Sequence, residues 1–333
     1  MAPAQQVIGI VHSTDIAAAR RAGSQLASTL GFDETAAGKV AIAITEAATN
    51  ILKHAGGGKV LVGPAPMQEK AIDVVALDRG PGMANVALSM RDGVSTAGTP
   101  GNGLGAMRRL SAGFDVYSAP GKGTAVFMRL QAAEPAPALL ELGAVCVPIP
   151  GEDACGDAWR IQAAADGATL LAADGLGHGP EAARAAQAAL ATFAARPALA
   201  PAALIEAAHV ALRPTRGAAL AVARLDLPGR QLQFAGIGNI SACVTIDGHC
   251  KQLMSHNGIV GHNMRKVQEF VLPLPEDTLF IMHSDGLSKQ WDLANWPGLS
   301  LCHPALIAGV LYRDHCRERD DVTVLVARRR KAG

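Results

Sequence analysis

Aromatic residues are scarce. The 333 residues include 3 Trp, 2 Tyr and 7 Phe, about 4% of the chain, while alanine and glycine are abundant. The cores must therefore be packed mainly from aliphatic side chains. A surplus of charge is also missing. The formal net charge is +1, which leaves no electrostatic footprint for nucleic acid, so no nucleic-acid partner is expected. The basic stretch Arg328-Arg329-Arg330-Lys331 reads as solvated. The 6 cysteines form neither a CxxC pair nor a zinc-ligand array. Scattered cysteines of this kind suit a reduced cytosol. No basic segment followed by an apolar one opens the chain, and no uncharged apolar run reaches membrane-spanning length. A cytoplasmic protein without membrane association is expected. The length suits two domains.

What is present is a set of aspartates at strand edges. Residues 168–173 are a small apolar run that reads as a buried strand. It leads into Asp174-Gly175-Leu176-Gly177-His178-Gly179, and an alanine-rich helix over 181–195 follows. A strand-end carboxylate followed by glycines brings oxygen donors to one point, which suits hard cations such as Mg2+ and Mn2+. Alone, an Asp-Gly pair is equally a turn signal. The pattern recurs, however. His283-Ser284-Asp285-Gly286 ends an apolar run, Asp320-Asp321 precedes the strand 322–327, and Gly156-Asp157 precedes the strand 158–163. Four such aspartates suggest a two-metal hydrolytic site, in which ions roughly 3.5–4 Å apart clamp the oxygens of a phosphoryl transfer. Between these motifs the pattern predicts a helix over 201–212 and strands over 218–225, 231–235, 240–246, 266–272 and 278–283. A helix over 303–315 is predicted after them. Gly236-Ile237-Gly238-Asn239 either presents backbone to a phosphopeptide or is a turn between paired strands. His178 either aids leaving-group protonation or is structural. Cys155 and Cys316 read as small apolar fillers.

The first half is patterned differently. A strand over 7–11 precedes a helix over 15–30 and a longer helix over 33–54. Val40, Ile44, Ala47 and Ile51 share one face of the longer helix. Glu46 and Asn50, four apart, share another, with Lys53 beside them. Taken singly, Glu46 and Lys53 also read as a solvated stripe. Strands over 59–62 and 71–77 follow, and the second runs into Asp78-Arg79-Gly80-Pro81-Gly82-Met83. Gly80 and Gly82 permit close backbone approach by a ligand, and a strand-end Asp can accept from an exocyclic amine such as that of adenine. Then come Asp92-Gly93-Val94-Ser95-Thr96 and a glycine-dense loop from Gly98 through Gly101 and Gly103 to Leu104-Gly105. This loop opens a helix over 104–112, whose N-terminal amides suit phosphate. Alone, the loop is equally a flexible connection. A hairpin of 114–118 and 124–130 closes around Pro120-Gly121-Lys122-Gly123, and residues 131–138 form an extended Pro/Ala spacer.

In order, the first-half motifs are ExxxN, DxGPGM, DGxST, GxGLG and PGKGT. Over about residues 7–131 they resemble the GHKL ATP-binding fold, closest to its RsbT/RsbW switch-kinase and anti-sigma branch. That resemblance implies ATP and Mg2+ as cofactors. Asn50 would hold Mg2+, Glu46 would be the general base for a substrate serine, and Asp78 and Gly82 would read adenine. Gly103 and Gly105 would cradle phosphate. Lys53, Gly80, Met83, Ser95, Thr96, Gly101, Leu104 and Thr124 would complete the site. Sensor histidine kinases and the gyrase and Hsp90 types are set aside, because a phosphoacceptor hairpin, a long lid and a transducer domain are not visible.

The second-half order GD, DGxGHG, SDG, DD resembles the type 2C (PPM) phosphatases, in their SpoIIE/RsbX-like branch, from about 140 to 328. This implies two Mn2+ or Mg2+ ions. Asp174 would bridge them with the Gly175 carbonyl beside it. Asp285 and Asp320 would complete one metal, and Asp157 would support the other through water. Asp320, the first of its pair, matches the family's ligand position. The absence of CxxxxxR removes the cysteine-phosphatase alternative.

The expected fold class is α+β, a GHKL (Bergerat) α/β sandwich followed by a PPM-type α-β-β-α sandwich. The expected domains are residues 1–132, a linker over 133–139, and residues 140–333. The resemblances imply a kinase and an opposing phosphatase acting on Ser/Thr of a STAS-domain switch protein in a partner-switching pathway. A further regulator and a homodimer are also implied as partners. The alternative keeps the phosphatase and makes the first half an ATP-sensing or partner-sequestering module without kinase output.

Overall fold

The computed structural model of the chain describes residues 4–90, 103–132, 139–164, 166–246 and 249–330. The chain divides into two units. One comprises Gln5–Pro137 with Trp296–Arg313, the other Met1–Ala4 and Ala138–Asn295 with Asp314–Gly333. The first therefore includes residues 296–313, which the sequence motifs had grouped with the second half.

The first unit runs β1 (Gln6–Ile10), α1 (Ser13–Thr29), α2 (Glu34–Ala55), β2 (Gly58–Pro64), β3 (Ala71–Asp78), α3 (Val86–Ser89), α4 (Gly103–Leu110), β4 (Gly113–Ser118) and β5 (Thr124–Gln131). The sheet order is β1-β2-β3-β5-β4, with antiparallel neighbours throughout. Asp33 starts α2 by accepting from Ala36 N at 2.7 Å, and Gly56 stops it at φ 69°. The apolar face of α2 buries Val40, Ile44, Ala47 and Ile51 against Val60, Val74, Val126 and Met128 of the sheet. Gly23 lets α1 lie directly on Ile44.

The strand β3 is buried from Ala71 to Leu77 without alternation, so both faces of the sheet must be covered. Residues 296–313 supply the second cover. They include most of the helix α7 (Pro304–His315). Gly309 sits against Val75 and Leu77, the ring of His303 stacks on Phe127 at 4.0 Å, and His303 N donates to Asp115 Oδ2 at 2.6 Å. On the same face, Asp73 and Arg129 lie opposite each other on β3 and β5. They form a two-bond ion pair at 2.6 and 2.7 Å, with Asp73 only 3% exposed. A buried carboxylate and guanidinium can be tolerated there because each satisfies the other.

The second unit runs β6 (Leu140–Val147), β7 (Asp157–Ala164), β8 (Gly167–Gly175), α5 (Pro180–Ala195), α6 (Pro201–Leu212), β9 (Ala218–Asp226), β10 (Gln231–Ile237), β11 (Ser241–Ile246), β12 (His249–Leu253), β13 (Phe270–Pro273), β14 (Leu279–His283) and β15 (Val322–Arg329). Its strands form two five-stranded sheets, β13-β10-β9-β8-β7 and β12-β11-β14-β15-β6. Leu170, Phe234, Phe280, Met282 and Leu325 fill one core that draws on strands of both sheets. A second core sets Leu190, Phe193 and Leu204 of α5 and α6 on Leu171, Ala173 and Val222 of the first sheet. Alanine at Ala182, Ala185, Ala186 and Ala189 keeps α5 close to that sheet.

Candidate nucleotide and metal sites

In the first unit, Glu46 and Asn50 stand one turn apart on α2 and are half-buried. Neither side chain makes a hydrogen bond or ion pair among the described residues. Lys53, one turn on, is exposed. Gly103 opens α4 beside Asn50, and a Cβ there would lie 3.0 Å from Asn50 Nδ2. Leu104 is half-buried and Gly105 buried in the same turn. Asp78 ends β3, and its Oδ1 accepts from Gly80 N at 2.8 Å and Thr124 N at 3.0 Å. Burial nevertheless pushes its carboxyl above the usual range. Gly80 packs on Ala55, and Gly82, at φ +72°, lies on the Ala119 carbonyl where no Cβ fits. Met83 N donates to Ser118 Oγ at 2.8 Å, and Ser118 Oγ donates to Gly123 O at 2.9 Å. The turn 78–83 and the hairpin 118–124 are thus knitted together. Arg313 adds a clamp that sequence reasoning missed. Its Nη1 donates to Asp78 O at 2.9 Å, and Arg79 Nη2 donates to Arg313 O. Ser95, Thr96 and Gly101 lie outside the described residues. Two polar side chains without a partner among the described residues, beside a helix start and a hydrogen-bonded strand-end turn, fit a Mg2+-nucleotide.

In the second unit, Asp157 and Asp174 are direct cross-strand partners, the first residue of β7 against the end of β8. Ser284 Oγ donates to Asp157 Oδ2 at 2.6 Å and itself accepts from Thr323 N at 2.9 Å. Asn239 Nδ2 donates to Asp285 Oδ2 at 2.7 Å. Among the described residues Asp320 accepts only a local bond from Asp321 N, at 2.9 Å, whereas Asp321 is buried and accepts from Ile149 N and Gly156 N, both at 2.8 Å. Asp321 therefore fastens loops, and Asp320 keeps more accepting capacity. Gly175 sits on the Ala182 backbone with no room for a side chain.

The charges are in conflict. Burial first, then Asp285, Asp320 and Asp321, pushes Asp174 up to about 7. Burial first, then Asp174, raises Asp157 well above its ordinary value. Burial first, then Asp285, raises Asp320. Among the described residues, no three carboxylate, imidazole or thiol groups converge closely enough to define an ion position. The fit to hard divalent cations therefore rests on the all-oxygen donors and their shared repulsion, which a cation relieves.

Two further residues are placed plainly. His178 Nδ1 pairs with Glu152 Oε1 at 2.9 Å near the protein surface. Cys155 lies 3.8 Å from Cys146, sulfur to sulfur. Ser284 was visible inside the SDG motif. Asn239 carried no sequence signal as a partner of Asp285, since the bond crosses 46 positions.

Residues 12–130 match the family model described as histidine kinase-like ATPase domain, and residues 165–330 match stage II sporulation protein E (SpoIIE). Serine/threonine-protein kinase RsbT of Bacillus subtilis (strain 168) is 36% identical over 123 residues, 37% of this chain and 92% of RsbT. A solved chain described under "The bacterial stressosome: a modular system that has been adapted to control secondary messenger signaling" is 32% identical, with a TM-score of 0.53 over 57% of this chain and 99% of that one. RsbX, solved in complex with magnesium, is 19% identical, with a TM-score of 0.52 over 56% of this chain and 94% of that one, a likeness of fold. The α+β class and the two folds that the motif orders imply are those found.

Proposed function

The chain belongs to the histidine kinase-like ATPase family of RsbT through residues 12–130 and to the SpoIIE family through residues 165–330, and we propose that it both adds and removes a phosphoryl group on one Ser/Thr of a STAS-domain switch protein. An RsbT-like kinase domain and a SpoIIE-like phosphatase domain support a regulator of the partner-switching kind. The observation that carries the bifunctional reading is the presence, on one chain, of Glu46 and Asn50 side chains without partners among the described residues and of the repelling carboxylates around Asp174.

In the first unit, Asn50 would hold the Mg2+ of ATP. Glu46 would accept the proton of the substrate hydroxyl, and Asp78 would read the adenine amine. Phosphoryl transfer asks little more of a protein than this positioning and charge placement. In the second unit, Asp174, Asp285, Asp320 and the Gly175 carbonyl would hold Mn2+ or Mg2+, with Asp157 in support. When bound, the metal supplies Lewis acidity toward phosphate oxygens and water. Ser284 holds Asp157 in one rotamer, Asn239 does the same for Asp285, and Asp321 ties down Ile149 and Gly156.

A phosphate adds roughly −1.5 to −2 charge to the partner's surface, enough to release a docked protein by repulsion. Having both activities on one chain raises the local concentration of each at that partner. A cytoplasmic location is part of this reading. Among the described residues no helix is long and apolar enough to cross a membrane.

Incubation of the full chain with labelled ATP and a candidate STAS-domain protein tests the kinase half. Label on the partner is the expected result. ATP-dependent binding without transfer would replace the kinase with a sequestering module.

A further inference from the structure

A cavity of about 550 Å3 opens in the second unit beside Asp174. Its size falls within the roughly 300–1,000 Å3 of ligand sites, room for a short peptide stretch rather than a folded partner. Asn239 stands in its lining and also donates to Asp285, so the cavity and the carboxylate centre share a wall.

The chain on either side of Asn239 is pinned. Gly238 N donates to His256 O at 2.8 Å, Ser255 Oγ donates to Ile240 O at 2.8 Å, and Ile237 and His256 form a parallel bridge. Gly236 and Ile237 thus end β10, and the bend at Gly238 and Asn239 that follows is held by these bonds beside the cavity. Gln252 and Leu253 add residues of β12, which is the edge strand of its sheet. An extended chain is the ligand whose backbone matches a strand edge.

Two features point to an occupant. Leu176 and Met254 line the cavity yet are 50% and 63% exposed, large apolar side chains left in water beside polar chemistry. Lys289 is the one cation in the lining, and it makes no ion pair or hydrogen bond among the described residues.

We infer that this cavity docks the substrate segment flanking the phospho-residue. The segment is extended, carries an apolar side chain next to the phospho-residue that seats against Leu176 and Met254, and turns its negative charge to Lys289. The inference rests on the phosphatase reading of the Asp174 centre and names the substrate class of that centre.

The test uses the full chain with Mn2+ and three substrates: p-nitrophenyl phosphate, and two phosphoserine peptides with Leu or Asp beside the phosphoserine. The parent chain should hydrolyse all three and prefer the Leu peptide by about tenfold in kcat/KM, the scale of one apolar pocket contact. Met254→Asp should raise KM for the Leu peptide by about that factor with kcat held, and Met254→Leu should keep the parent KM. Lys289→Glu should raise KM for both peptides and weaken its dependence on salt. Equal KM for the two peptides in the parent, or an unchanged KM in Met254→Asp, overturns the docking assignment while phosphatase activity stands. No hydrolysis of p-nitrophenyl phosphate by the parent overturns the phosphatase reading and the docking site with it.

Discussion

Replacing Asp174 with Asn should abolish phosphatase activity and, in metal-free protein at pH 8, raise stability. Burial and the neighbouring carboxylates hold Asp174 at about 7, against an ordinary value of 3.8. The folded state therefore binds this proton more tightly than the unfolded state. Its contribution to stability falls as pH rises from about 4 through 7, and the cost is fully present above that window. A gap of about three pKa units corresponds to about 4 kcal/mol. Asn removes the charge but still buries an amide, which returns about 1–2 kcal/mol of desolvation cost. The net gain is about 2–3 kcal/mol, or about 4–12 °C in Tm for a unit of this size. Thermal unfolding with chelator at pH 8 should show that gain, and at pH 5 it should shrink toward zero. Added Mn2+ should raise the Tm of the parent at pH 8 and leave the variant nearly unmoved. A variant less stable than the parent at pH 8 with chelator, or an advantage of equal size at both pH values, would refute the reasoning.

Three other outcomes are expected. Glu46→Gln should bind ATP with parental affinity and lose transfer to the partner, as read by nucleotide titration and labelled-ATP assay. Gly103→Val, which puts a branched side chain against Asn50, should weaken Mg-ATP binding at least about tenfold by calorimetry without unfolding the chain. Asp73→Ala should cost about 3–5 kcal/mol in urea unfolding, because it removes the two-bond carboxylate partner of the largely buried Arg129 guanidinium. The double change Asp73→Leu with Arg129→Met should restore most of that loss.

The sequence was most informative where local chemistry is demanding. The spacing that predicted a helix over 33–54 corresponds to α2 at Glu34–Ala55, since its cap Asp33 and stop Gly56 are local signals. The fold pair was legible because strand-end Asp-Gly turns tolerate few other residue types. β12 was missed because His249 to Leu253 is largely polar and shows no alternation. The strand predicted over 266–272 is found only as β13, Phe270–Pro273. The helix over 303–315 was legible, but its place on the first unit's sheet was not. That contact spans more than 170 positions, from Phe127 to His303, and its one local trace is the largely apolar β3, Ala71 to Leu77, broken only by Asp73. The Asp73–Arg129 pair was invisible for the same reason, since strand register decides it. At the candidate sites, motifs point to residues that bear charge and to Ser284 inside SDG, whereas the side chains of Asn239 and Arg313 are placed by three-dimensional proximity.

The central claim is that both units act on one hydroxyl. The direct measurement loads a candidate STAS-domain protein with phosphate, using the Asp285→Asn chain and ATP, and locates the modification by mass spectrometry. After ATP is removed, the parent chain is added with Mn2+. A single phosphorylated serine or threonine that the parent then clears is the predicted result. Phosphate that persists at that site, while the parent dephosphorylates other phosphoproteins, would contradict it.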